Sequence, residues 1–206
     1  EPETDLVFAN AAKLRDDLDG QLQSSHHNEA LPSVMEGRDL FLRLATEKIF
    51  LFHNTCLYRR QKAVDIGFYQ HDLISSDWES LHRYILTGKV AFRDAHVAVW
   101  RLHGKNATKG LTAQQRSDNL RSIFNPYLEA KNQSYFEMDL LEEWLDTRLW
   151  RIALKDARIL IKSGDRAGYQ EYVAELGNIR PAIARRIRRS PKMLFKRLSS
   201  LARNRR

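Results

Sequence analysis

No stretch of this chain approaches the roughly 20 uninterrupted apolar residues that a membrane-spanning helix requires. The most apolar segment, Ile49 to Tyr58, is short and is interrupted by His53 and Asn54. Cysteine is nearly absent. Cys56 stands alone, which excludes an internal disulfide and any multi-thiolate zinc or iron–sulfur site. The opening, Glu1-Pro2-Glu3-Thr4-Asp5, is acidic and without an initiator Met; it does not read as a secretory leader, and a fragment of a longer protein is expected. There is no Gly-rich phosphate loop and no Ser/His/Asp elbow pattern. Acidic residues vanish at the C-terminal end, where 11 Lys and Arg follow from Arg180 onward with no Asp or Glu.

What is present is an ordinary globular balance. The 206 residues are 43% apolar and 29% charged, with a net charge of +8, and their number suits one domain or one domain plus an appendage. The charge is unevenly placed. Residues from Arg151 onward carry a net +12, so the first 150 carry a net −4. That asymmetry describes a mildly acidic body with a basic tail suited to an anionic surface.

Periodicity predicts alternating strands and helices. Leu6 to Ala9 reads as a buried strand, Asp16 to Gly20 as a turn, and Ser24 to Pro32 as a polar loop. Gly37 to Leu44 has a helical apolar face, Lys48 to Arg60 reads as a buried strand, and Lys62 to Ile66 as a short helix stopped by Gly67. Ser76-Asp77-Trp78-Glu79 fits a capping box, in which Ser76 caps a helix and Glu79 reaches back to it; Gly88 ends that helix. Lys89 to Arg93 and Val97 to His103 read as two strands joined at Asp94-Ala95, with Val97, Val99, Arg101 and His103 on one face. Beyond Thr112 the signal is helical. Tyr135, Met138, Leu141, Leu145, Leu149, Ile152 and Leu160 keep a period near 3.6, broken by Gly164. A short helix around Tyr169, Val173 and Leu176 is expected to end at Gly177. A last helix from Ser190-Pro191 carries Leu194, Leu198 and Leu201 on one stripe. The expected units are residues 1–110, a helical extension 111–178, and a basic amphipathic tail 179–206.

Most chemistry-bearing residues have a structural explanation. His26-His27 lies in a polar loop with no companion ligands. Cys56 suits a small buried thiol. Asp17-Leu18-Asp19 has the form of an Asp-x-Asp metal motif, but its Asp-Gly ending favours a turn. Asp77 is either a plain helix-start acid or a carboxylate facing a pocket, stabilised by the helix dipole. His103, at a strand end before Gly104, is either a ligand or a surface histidine.

Five segments in order resemble the acceptor-side half of family 2 glycosyltransferases: Leu57-Tyr58-Arg59-Arg60, Ile66-Gly67-Phe68-Tyr69, Ser76-Asp77-Trp78-Glu79, Gly88-Lys89-Val90-Ala91-Phe92 and Trp100 to Thr108. The resemblance covers about Asp5 to Thr108. It implies an α/β fold of the GT-A type, a mixed sheet with flanking helices, followed here by a helical C-terminal region. It further implies an inverting transferase that moves sugar from a nucleotide-sugar donor to a glycan or lipid-linked acceptor in envelope polysaccharide synthesis. By matching position, Asp77 would be the catalytic base, with Ser76 where the family often has a second acid. Trp78 and Arg101 would line the substrate pocket. His103 would contact the donor diphosphate or its divalent metal, Mn or Mg. The same resemblance places the donor-binding half before residue 1, so the chain as given is expected to show no transfer by itself.

An inverting transfer needs a base for the acceptor hydroxyl and positive charge for the departing diphosphate. The basic tail with its leucine stripe suits peripheral attachment to the anionic surface of a membrane, and a cytoplasmic-face location is what the resemblance implies. Nucleic acid is the alternative partner, but Phe195 is the sole aromatic after Arg180, which disfavours base stacking. A non-catalytic module attached through that tail is the rival functional reading.

Overall fold

Two long strands form the spine of the computed structural model, which describes residues 3–15, 22–26, 28, 31–103 and 110–190. β1 (Thr4–Arg15) and β5 (Lys89–Leu102) run parallel, from Thr4 against Lys89 to Arg15 against Leu102. β2 (Leu22–His26) and β4 (Cys56–Tyr58) both pair antiparallel with β1, and β3 (Val34–Glu36) pairs antiparallel with β5. The result is a mixed sheet in the order β2-β1-β5-β3, with β4 also beside β1. Apolar alternation drives this pairing: Leu6, Phe8, Val90 and Phe92 are buried, and the Phe8 and Phe92 rings lie 5.2 Å apart.

Helices cover the sheet because their apolar stripes match it. α1 (Gly37–Thr46) buries Leu40, Phe41, Leu44 and Ala45. α6 (Met138–Lys162) is one 25-residue helix that buries Leu141, Trp144, Leu145, Leu149, Ala153, Ala157 and Leu160, a spacing that keeps one face turned inward. The two helices meet at Phe41 and Trp144, whose rings stack at 4.1 Å while the indole N–H donates to the Phe41 carbonyl at 2.7 Å. Truncating either ring to Ala would cost about 3–5 kcal/mol. α2 (Arg60–Asp65), α3 (Ser76–Tyr84), α4 (Ala113–Asn119), α5 (Arg121–Asn132), α7 (Arg166–Ile179) and α8 (Pro181–Arg189) complete the described elements. One contiguous apolar core runs from Leu6 to Ile187, so the change from sheet to helices near residue 110 is not a break in packing.

Several sequence expectations are corrected by pairing and packing. The two strands expected about Asp94-Ala95 are one strand. The β1–β5 register passes from Ala9 opposite Arg93 to Asn10 opposite His96, so Asp94 and Ala95 are a bulge that β1 carries across. The polar stretch from Ser24 begins inside a strand, β2, because the edge of β1 pairs with its backbone whatever its side chains. Of the strand expected from Lys48 to Arg60, Cys56–Tyr58 alone is extended and paired, preceded by a 3-10 turn at His53–Thr55. α7 runs through Gly177 to Ile179. The region from Arg180 is a packed helix for its first turns rather than a free tail, with Ile183, Ala184 and Ile187 buried. The leucine stripe Leu194, Leu198 and Leu201, the Asp16–Gly20 turn, Asp17-Leu18-Asp19, His27 and the His26 side chain lie outside the described residues. Among those described, no helix is long and apolar enough to cross a membrane.

Gly88 fixes how α3 feeds β5. Its φ of +75° suits glycine, and a Cβ there would collide with the Asp5 carboxylate. Its carbonyl accepts the Gly37 N–H at 2.9 Å, which ties the start of α1 to the start of β5.

Candidate functional site

The capping box predicted for α3 does not form. Ser75 is the N-cap and no side chain caps it. Glu79 turns inward instead. Its carboxylate is fully buried and binds Arg83 through Oε1 at 2.7 Å and Oε2 at 3.2 Å. Arg83 donates onward to the carbonyls of Ile66 and Gly67 at 2.7 and 3.0 Å. A buried charge pair needs such satisfied geometry to persist, and here it clamps the loop after α2 onto α3.

That clamp positions Tyr69. Its backbone is left-handed, with φ of 63°, a conformation that costs a non-glycine residue on the order of 1 kcal/mol. The Tyr69 N–H donates to Ser80 Oγ at 2.9 Å, and its phenol oxygen lies 2.9 Å from His53 Nε2. The same His53 nitrogen lies 3.2 Å from the Tyr58 hydroxyl. Phe68 fills the space behind, stacked on Tyr58 at 4.9 Å and edge-on to Tyr69 at 4.8 Å. Burial chiefly, then electrostatic repulsion from Tyr58 and Asp77, holds the Tyr69 phenol above its ordinary range. Asp77 thus lies within electrostatic reach of this phenol. The Tyr69 ring is 49% exposed, so the cluster opens to solvent at the start of α3.

Asp77 is half-buried in the first turn of α3, and its Oδ1 accepts the Trp78 N–H at 2.8 Å. Trp78 turns toward α6. Its ring lies 5.7 Å from that of His82 and 5.5 Å from the Arg148 guanidinium of α6. His82 Nδ1 is 2.7 Å from the Trp78 carbonyl, which fixes that nitrogen as the donor, and its Nε2 faces Arg148 at 3.5 Å. Burial, and then the Arg148 charge, push the His82 imidazole down to about 3. Burial lowers Arg148 to about 10. Trp78 thus anchors α3 to α6, with only part of its ring available to a substrate.

Arg101 and His103 are not brought to this place. Tyr58 pairs opposite Leu6 on β1, whereas Leu102 pairs opposite Arg15. Nine residues separate those levels, on the order of 30 Å along the strand. Arg101 is exposed and His103 half-buried at that far end. Asp77 and Trp78 are adjacent on α3; His103 belongs to the other end of the sheet. Among the described residues no three His, Cys, Asp or Glu side chains converge as ligands for a metal ion. No step below runs through a metal.

The sequence reading missed His53, Tyr58 and Tyr69 as a cluster. One signal was present: His53 and Asn54 interrupt an apolar run that has no local reason to be polar. Cys56 matches its expectation, since burial raises its thiol to about 12 and its Sγ donates to the Phe52 carbonyl at 3.1 Å. A thiol held protonated is a poor nucleophile. Comparison with protein-family models, with curated proteins and with solved structures gave no match to this chain.

Proposed function

We propose that the chain carries the acceptor side of an inverting glycosyltransferase of GT-A type, with Asp77 as the general base. The supporting observation is a half-buried Asp77 carboxylate in the first turn of α3, within electrostatic reach of an exposed Tyr69 that His53 joins to Tyr58. A sugar acceptor presents apolar C–H faces and hydroxyls. An aromatic face with polar tips suits the first, and a carboxylate suits the second. Asp77 takes the proton from the acceptor hydroxyl as that oxygen bonds to the anomeric carbon. The bond from that carbon to the diphosphate breaks, and the nucleoside diphosphate leaves with its electron pair. Tyr69, pinned by His53, orients the acceptor ring. A parallel strand pair flanked by antiparallel neighbours and helices is compatible with this fold assignment.

The test is a nucleotide-sugar donor screen with the complete gene product, followed by Asp77→Asn. Loss of the base should lower kcat by about 10²–10⁴-fold while donor binding and thermal stability persist. Retained turnover in the variant, or no transfer from any donor, would overturn the reading. The rival, a non-catalytic module holding an anionic partner, is favoured by the exposed arginines of α8 and predicts that second result.

A further inference from the structure

Trp150 on α6 and the outer face of α8 border a cleft of about 560 Å³, completed by Ala182, Arg185, Arg186, Arg189 and Ser190. The helix has spent its apolar side inward, since Ile183, Ala184 and Ile187 are at most 3% exposed. It therefore cannot lay that side into a bilayer. What it offers outward is charge. The Arg186 guanidinium lies 4.0 Å from the centre of the Trp150 ring, a stacking that pre-orients its fork. Arg185 and Arg189 stand four residues apart and so share a face. Among the described residues, none of the three meets a carboxylate. Arg180, at the start of the same helix, contrasts with them: it is bridged to Glu142 at 2.6 Å and Asp146 at 2.5 Å. The sequence beyond Ser190 supplies no counter-charge, with six more Lys and Arg and no acid.

We infer that this cleft binds a phosphate-bearing group of headgroup size, held by Arg185, Arg186 and Arg189 against Trp150. Three guanidinium forks match phosphate oxygens in geometry and charge. The volume is that of a small-molecule site and larger than one inorganic phosphate needs. The inference does not depend on the transferase reading.

The full chain is tested against phosphatidylcholine vesicles with and without phosphatidylglycerol, and against soluble glycerol phosphate by thermal shift. Binding to the anionic vesicles alone identifies a lipid headgroup; binding to glycerol phosphate as well identifies a free phosphate ester. In either case Arg185→Glu/Arg189→Glu should weaken binding at least about tenfold with an unchanged thermal midpoint. Arg188→Glu, on the same helix but outside the cleft, should weaken it much less. Equal losses in the two variants, no loss in either, binding to neither probe, or binding to a nucleic acid alone would overturn the assignment.

Discussion

The buried arginines and the arginines of α8 live under opposite rules. Arg83 and Arg116 are each about 5% exposed, and each has a carboxylate from its own chain, Glu79 at 2.7 Å and Asp156 at 2.6 Å. Arg185, Arg186 and Arg189 are exposed, and among the described residues no carboxylate meets them. Arg148 stands between these cases. It is largely buried, yet what it meets is the Leu44 carbonyl at 3.1 Å, the Trp78 ring and a neutral His82. A charge taken from water must be satisfied by the fold itself, whereas a charge left at the surface is available to a partner. The same residue type therefore braces the fold where it is buried and is available to a partner where it is exposed.

The sharpest way to break this contrast is Glu79→Ala. It leaves Arg83 buried and unpaired, which should cost about 3–5 kcal/mol and lower the thermal midpoint by on the order of 10 °C. A loss under about 1 kcal/mol would mean that the clamp is dispensable. The next effect is a pH dependence. Buried His82 stays neutral down to about 3, while the unfolded chain's histidine takes up a proton below about 6.5. The unfolded state then binds more protons, so stability is full above pH 6.5 and falls as the pH drops. Between pH 6.5 and 5 the loss from this residue is about 2 kcal/mol. His82→Gln should be less stable at pH 8 but should lack this slope in denaturant titrations; an unchanged slope would contradict the assignment. The smallest effect belongs to the surface. Arg185→Glu/Arg189→Glu should shift folding stability by no more than about 0.5 kcal/mol, and a larger loss would show that these residues serve the fold.

What was legible in the sequence follows from where one local rule decided the outcome. α1 and α6 were visible because a 3.6 period sets their burial, and the helix before Gly67 because a left-handed glycine stops it, with φ of 62°. Elsewhere a distant partner decided. Asp94-Ala95 looks like a turn, but β1 pairs with the chain on both sides of it. Ser76 and Glu79 have capping-box spacing, yet Arg83, one turn beyond Glu79, offers a buried ion pair that outweighs a backbone contact at the surface. Of the candidate residues, Asp77 and Trp78 were singled out from their neighbours in sequence. His53, Tyr58 and Tyr69 were not, because the loop clamped by Arg83 brings them together and a left-handed tyrosine has no sequence signature. Arg101 lies on, and His103 just after, a strand whose continuation past the bulge carries them away from α3.

The most direct test of the central claim is single-turnover transfer by the complete gene product carrying Asp77→Asn, with its preferred nucleotide sugar and acceptor. The account predicts that the donor still binds and that the sugar is no longer passed on, with the rate down at least about 100-fold. A variant that transfers sugar at the parent rate would remove Asp77 from the chemistry, and with it the acceptor site assigned to the start of α3.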